Sequence, residues 1–252
     1  SDYYGNQLTT STGLARDSYD IGVRAFLSAN YGAQEAFSQA VEADPTFALS
    51  YLGLARAFIS SGQVAESKAA LRKAKNLLKG VTDREKSHFL CCELLLLGEA
   101  KKARLAVNKH VSQWPRDAMV AQMSTSVFGL IGFSGEMGRE IDLLEYTERL
   151  LPHYGEDWWM ISMHAISLCE TGQTLKSMQL MEKALNLNPR NANAAHFFAH
   201  ILYEENEVSA GRDYLAAWMP NYDRRSLLHG HLSWHQALWA LHDGDETSMW
   251  EI

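Results

Sequence analysis

The sequence has little proline (5 of 252 residues), only three cysteines and no excess of positive charge. Scarce proline and the lack of any low-complexity tract argue against long disordered linkers. Three cysteines cannot all pair within one chain, and the neighbours Cys91 and Cys92 make a poor disulfide framework, so a reducing, cytoplasmic compartment is expected. With 23 Lys and Arg against 30 Asp and Glu, the net charge is −7. Broad nucleic-acid binding needs a basic field to displace counterions, and no nucleic-acid partner is expected. Long apolar runs are also missing. The stretches Leu94 to Leu97 and Ala194 to Tyr203 are interrupted by Gly98 and by His196 and His200, well short of the roughly 18 residues of a membrane span. What remains is ample: 46% of the residues are hydrophobic, enough for a large core.

The hydrophobic positions recur. Ala33, Phe37, Ala40 and Pro45 space small, aromatic, small and helix-stopping residues. Tyr51, Leu54, Ala55, Phe58, Gly62, Ser67, Leu71 and Ala74 continue the same frame. It returns in Leu90, Cys91, Leu94, Gly98, Ala103, Val107 and Pro115, and again in Ile161, Ala165, Leu168, Gly172, Met181, Ala184 and Pro189. A further copy holds Ala195, Phe198, Ala199, Leu202, Gly211 and Leu215, with Asn206 replacing the turn glycine. Turns at 62, 98, about 135, 172, 206 and 244 lie 34 to 38 residues apart. This is the pattern of a tetratricopeptide repeat. One helix pair cannot bury its own apolar face and must stack on its neighbours. The expected fold is all-α, an α-solenoid of stacked antiparallel helix pairs. Residues 1–32 read as an N-terminal capping helix and 33–252 as an array of about six pairs. The copy from 118 to 152 is irregular, its turn lengthened by Gly129, Gly132, Gly135 and Gly138. His231 to Leu241 begins a last pair that is incomplete at Ile252, so either the chain is cut there or a second copy covers the open edge as a homo-oligomer.

In such an array the first helices line the concave surface, at positions spaced by three and four. Those slots hold Glu85, His88 and Cys92, then Trp159, Ser162 and Cys169 with Glu170 adjacent. Next come Asn193, His196, His200 and Tyr203 with Glu204 adjacent, and finally His231 and Trp234 with His235 beside them. Five of the ten histidines fall on or next to this face. The pairs His196/His200 and His231/His235, each spaced i, i+4, share a helix face and with a nearby Glu suit a divalent metal such as zinc. They suit acid–base chemistry near neutral pH equally well. Plainer roles compete. Glu85 follows Thr82 at capping-box spacing, Trp234 and His235 suit core packing, and His-x-x-x-His without an intervening Glu is a weak metal motif. His110, His153 and His242 fall off these slots.

Several strings resemble the tetratricopeptide repeat protein 38 family over roughly residues 40 to 250. They are Asp44-Pro45-Thr46-Phe47, Thr82-Asp83-Arg84-Glu85 with His88, Pro115-Arg116-Asp117, the turn at Glu170, and Ala184-Leu185-Asn186-Leu187-Asn188-Pro189. His196 to Ile201 and His231 to Leu238 match that family's histidine strings, while Leu232 and Ser233 depart from the aromatic that some relatives carry. Its members continue for a further helical stretch. The resemblance implies a helical repeat with a polar groove and names no reaction.

Two expectations follow. One is a scaffold binding a peptide or small polar ligand through Glu85, Cys92, Trp159, Glu170, Asn193, Tyr203 and Trp234, with no cofactor. The other is an enzyme acting on a small molecule through His88, His196, His200, His231 and His235, by acid–base or metal-assisted chemistry.

Overall fold

The computed structural model describes residues 1–252, which form fourteen α-helices and no strand. Contacts divide the chain into two units: Ser1–Leu27 with Gly32–Gly155, and Ser28–Tyr31 with Glu156–Ile252. No helix is long and apolar enough to cross a membrane.

The first unit pairs α1 (Gly13–Leu27) with α2 (Ala33–Ala43), α3 (Ala48–Ser60) with α4 (Val64–Asn76), and α5 (Asp83–Leu96) with α6 (Ala100–Gln113). It then runs through the single turn α7 (Ala118–Ala121) to α8 (Arg139–Tyr154). Phe37 shows why small residues recur. Its fully buried ring lies between Gly22 of α1 and Gly53 of α3, and a methyl at Gly53 would stand 2.5 Å from it. These glycines leave room for the aromatic side chain that joins three helices.

The second unit pairs α9 (Trp158–Glu170) with α10 (Thr174–Leu187) and α11 (Ala192–Glu204) with α12 (Val208–Trp218). It closes with α13 (His229–His242) and the short α14 (Glu246–Glu251).

The repeat is visible in the backbone. Gly62, Gly98, Gly135, Gly172 and Gly244 all sit at positive φ, between 72° and 77°. Asn206 takes the same left-handed turn at 61°, which asparagine tolerates better than most side chains. A hydrogen bond repeats with them. Ser67 Oγ donates to the Ala55 carbonyl at 2.8 Å, and Ser177 Oγ to the Ala165 carbonyl at 2.6 Å, each tying a second helix to its own first helix. Pro45, Pro115 and Pro189 follow α2, α6 and α10, because proline cannot extend a helix. The irregular copy keeps only a remnant of its first helix. After α7 the chain winds through two 3-10 turns, Gln122–Ser124 and Gly132–Ser134, before α8.

Candidate metal centre

Two helices of the second unit supply the densest chemistry in the chain. His196 and His200 lie one turn apart on α11, His231 and His235 one turn apart on α13. Their chain neighbours Ala199 and Leu232 are buried in one apolar cluster with Leu215, Met219, Tyr222 and Trp239. That cluster links α11, α12 and α13, and the two histidine pairs face each other across it.

The result is a convergence of four imidazole nitrogens. His196 Nε2 lies 2.9 Å from Nε2 of His200, 2.9 Å from that of His231 and 3.1 Å from that of His235. His231 and His235 Nε2 are 3.1 Å apart, and all four ligand atoms fall within 4.8 Å of one another. The rings of the pairs 196/200, 196/231, 231/235 and 200/235 stand 80–86° to each other. Parallel stacking would bury the ring faces; this arrangement instead points nitrogen atoms at a common centre.

Hydrogen bonding among the rings does not explain this. An imidazole nitrogen is either a donor or an acceptor, so His196 Nε2 cannot satisfy three other Nε2 atoms. A cation can. At a metal–nitrogen distance of about 2.0–2.1 Å, adjacent ligand nitrogens sit roughly 2.9–3.4 Å apart in square to tetrahedral arrangements. The four separations given above reach the lower part of that range, while the whole set spans up to 4.8 Å, so the rings draw together slightly around an ion.

The electrostatics agree. Burial, then mutual repulsion from the other three rings, pushes the His196 pKa down to about 2. Burial followed by the charges of His200 and His231 brings His235 to about 4. Burial likewise lowers His200 and His231. All four rings are therefore neutral at neutral pH, the form that binds a metal. His196 is buried, while the other three are part-exposed. Trp234, 53% exposed, lies beside the cluster, with ring centroids 5.2 Å from His235 and 5.7 Å from His231.

The remaining sequence candidates are distributed differently. In the second unit, Tyr203 is 58% exposed, Glu170 is exposed, Asn193 is half-buried and Trp159 is fully buried in the core. Glu204 lies one turn beyond His200 and its charge acts on that ring, but only the four histidines form the convergent set.

Glu85, His88 and Cys92 belong to the first unit, and all three are buried. Glu85 completes the capping box with Thr82. It also takes hydrogen bonds from Thr9 N at 2.9 Å and Thr9 Oγ1 at 2.5 Å, tying the N-terminal segment to α5.

His88 enters a network that the concave-face pattern did not reveal. Asp117 Oδ2 accepts from Arg84 Nη1, from His88 Nδ1 at 3.0 Å and from His110 Nε2 at 3.2 Å. Ser87 Oγ lies 2.9 Å from His110 Nδ1, so the network assigns the His110 proton to Nε2. Burial alone would lower the His88 pKa, but the Asp117 carboxylate outweighs it and raises the ring to about 9. Burial would raise Asp117, yet the charges of His88 and Arg84 hold it well below the usual carboxylate range. Asp117 and His110 were legible only as a Pro-x-Asp string and an off-face histidine.

No protein-family model matches the sequence. Among solved structures, the chain is similar to one from the Cut9–Hcn1 hetero-tetramer of the APC/C. The identity is 16% and the TM-score 0.52, over 86% of this chain and 42% of that one. It thus spans less than half of that protein's length. It also matches the C-terminal part of a TPR repeat-containing protein from Cytophaga hutchinsonii, at 10% identity and a TM-score of 0.42, over 94% and 93% of the two chains. A third match is the TPR2AB domain–pHSP90 complex of yeast Sti1, at 13% identity and a TM-score of 0.32, over 95% and 98%. At these identities the likeness concerns the fold alone. Fourteen helices and no strands, with the first of these matches, define an all-α fold of stacked helix pairs, an α-solenoid.

Proposed function

We propose that this tetratricopeptide array holds one divalent first-row transition metal, zinc or a metal of similar preference, at His196, His200, His231 and His235. The metal presents an electrophilic centre to a small polar ligand, or to a polar side chain of a peptide, at the mouth of the site. The convergence of four Nε2 atoms carries this reading. All-imidazole ligation suits zinc, copper, iron and nickel better than magnesium or calcium, which take oxygen ligands. The resemblance to the tetratricopeptide repeat protein 38 family supports it further, because the strings His196 to Ile201 and His231 to Leu238 contain the four ligands. Free thiols at Cys91, Cys92 and Cys169 fit a cytoplasmic setting.

A catalytic version of this reading requires a fifth coordination position, since four imidazoles fill a tetrahedral shell and catalytic sites keep a position open to water or substrate; the part-exposure of His200, His231 and His235 favours it. Cobalt substitution tests the open position in both versions. The protein reconstituted with one equivalent of Co²⁺ shows visible ligand-field bands, and azide or acetate shifts them with saturation. Bands that ignore both anions would mean a closed structural site and would overturn the ligand-binding reading.

A further inference from the structure

A cleft of about 480 Å³ opens in the first unit, between the ends of α3, α5 and α6 and the irregular segment that follows α7. Arg56 lines it and is 5% exposed. A guanidinium that deep ordinarily faces a carboxylate, because an unneutralised buried charge is costly. Arg56 has none. Its Nη1 donates to the Met119 carbonyl at 3.0 Å, its Nη2 to the Gln122 side-chain oxygen, and its Cζ sits 5.0 Å from the Phe26 ring centroid. Cys92 is a further hydrogen-bond partner, and none of these partners is a carboxylate. Lys101 and Arg104 add two more cations to the lining and Glu136 one carboxylate, paired with Arg104 at 2.7 Å. Three cations against one carboxylate leave the cleft positive in a chain whose net charge is −7.

Part of the lining is apolar. Phe128 and Phe133 pack edge to face with ring centroids 5.5 Å apart, yet remain 58% and 71% exposed. Exposed aromatic faces beside a buried, under-neutralised arginine specify two ends of one ligand: a doubly charged anionic head and a flat apolar body.

We propose that this cleft is a second binding site, for a phosphate monoester with an aromatic or similarly apolar body. Arg56 and Lys101 hold the head group, and Phe128 and Phe133 cover the body. The dianion supplies the countercharge that Arg56 lacks, and the two rings remove the apolar body from water.

Calorimetric titration of the full chain with phenyl phosphate tests this directly. One equivalent binds, inorganic phosphate binds more weakly, and phenol does not bind. Lys101→Glu, at an exposed position, weakens phenyl phosphate about tenfold. Phe133→Ser weakens phenyl phosphate but leaves inorganic phosphate unchanged. His196→Ala leaves both affinities unchanged, which separates the cleft from the histidine centre. The proposal is overturned if phenyl phosphate gives no saturable heat, if phenol binds as well, if Lys101→Glu has no effect, or if binding disappears in His196→Ala.

Discussion

His196→Ala lowers the affinity for zinc or cobalt by about 10²–10³-fold while leaving the helical content unchanged. Four-ligand zinc sites in small proteins are worth about 10–16 kcal/mol, so one ligand accounts for roughly 3–4 kcal/mol of affinity. His196 is the most informative of the four. It is the ring whose Nε2 approaches all three others within 3.1 Å, and the one that is buried. Metal binding also stabilises the folded state, by roughly 4 kcal/mol at a thousandfold excess over Kd. Zinc therefore raises the melting temperature of the wild-type protein and leaves that of the variant nearly unmoved. His242→Ala is the matched control, since His242 shares α13 with two of the ligands but is exposed and outside the convergent set. Equal loss in both variants would place the metal elsewhere.

The second large effect concerns stability. Asp117→Asn destabilises the first unit by about 3–5 kcal/mol, because the substitution leaves the Arg84 cation buried against a neutral amide and removes the charge that holds His88 protonated. In thermal unfolding this appears as a fall of about 10 °C in the transition of that unit. The pH dependence distinguishes loss of charge from mere loss of packing. In the wild type His88 is raised from 6.5 to about 9, so its contribution is complete below pH 6.5 and is lost as pH rises through 9. Asp117 is held below 3.8, so its contribution is present above that pH and is lost on further acidification. The wild type is thus most stable between these limits, with an alkaline decline from pH 6.5 to 9. In Asp117→Asn that decline shrinks, because the carboxylate that does most to raise His88 is gone and burial then favours the neutral ring. A variant that is destabilised equally at every pH would show that the carboxylate's charge is not what the network uses.

These two sites were not equally legible in the sequence. Helix pairs followed from local chemistry: glycine or asparagine where the backbone needs positive φ, as at Gly62 and Asn206, and proline where a helix must stop. His196/His200 and His231/His235 were legible for a related reason, since i, i+4 spacing places two rings on one helix face whatever surrounds it. Their meeting depends on the packing of Ala199 and Leu232, and the repeat period already implied such contact between consecutive first helices. Asp117 could not be found in this way. It follows α6, while its partners Arg84 and His88 project from α5 and His110 from α6, so no single periodicity links them. Glu85 illustrates the complementary difficulty. Its spacing from Thr82 announced the capping box, but its bonds to Thr9 cross 76 residues. A helix-face position gives a direction only; what covers it depends on segments elsewhere in the chain. Cys92 and Trp159 occupied concave slots by periodicity and are fully buried. Arg56 carried no motif at all, and its interest comes only from a burial that no carboxylate offsets.

The measurement that tests the central claim most directly is X-ray absorption at the zinc edge, on protein reconstituted with one equivalent of zinc. Four imidazole nitrogens in the first coordination sphere at about 2.0–2.1 Å, reduced to three in His196→Ala, are the expected result. A first sphere containing sulfur, or dominated by water and carboxylate oxygen and unaltered by His196→Ala, would contradict a four-histidine centre.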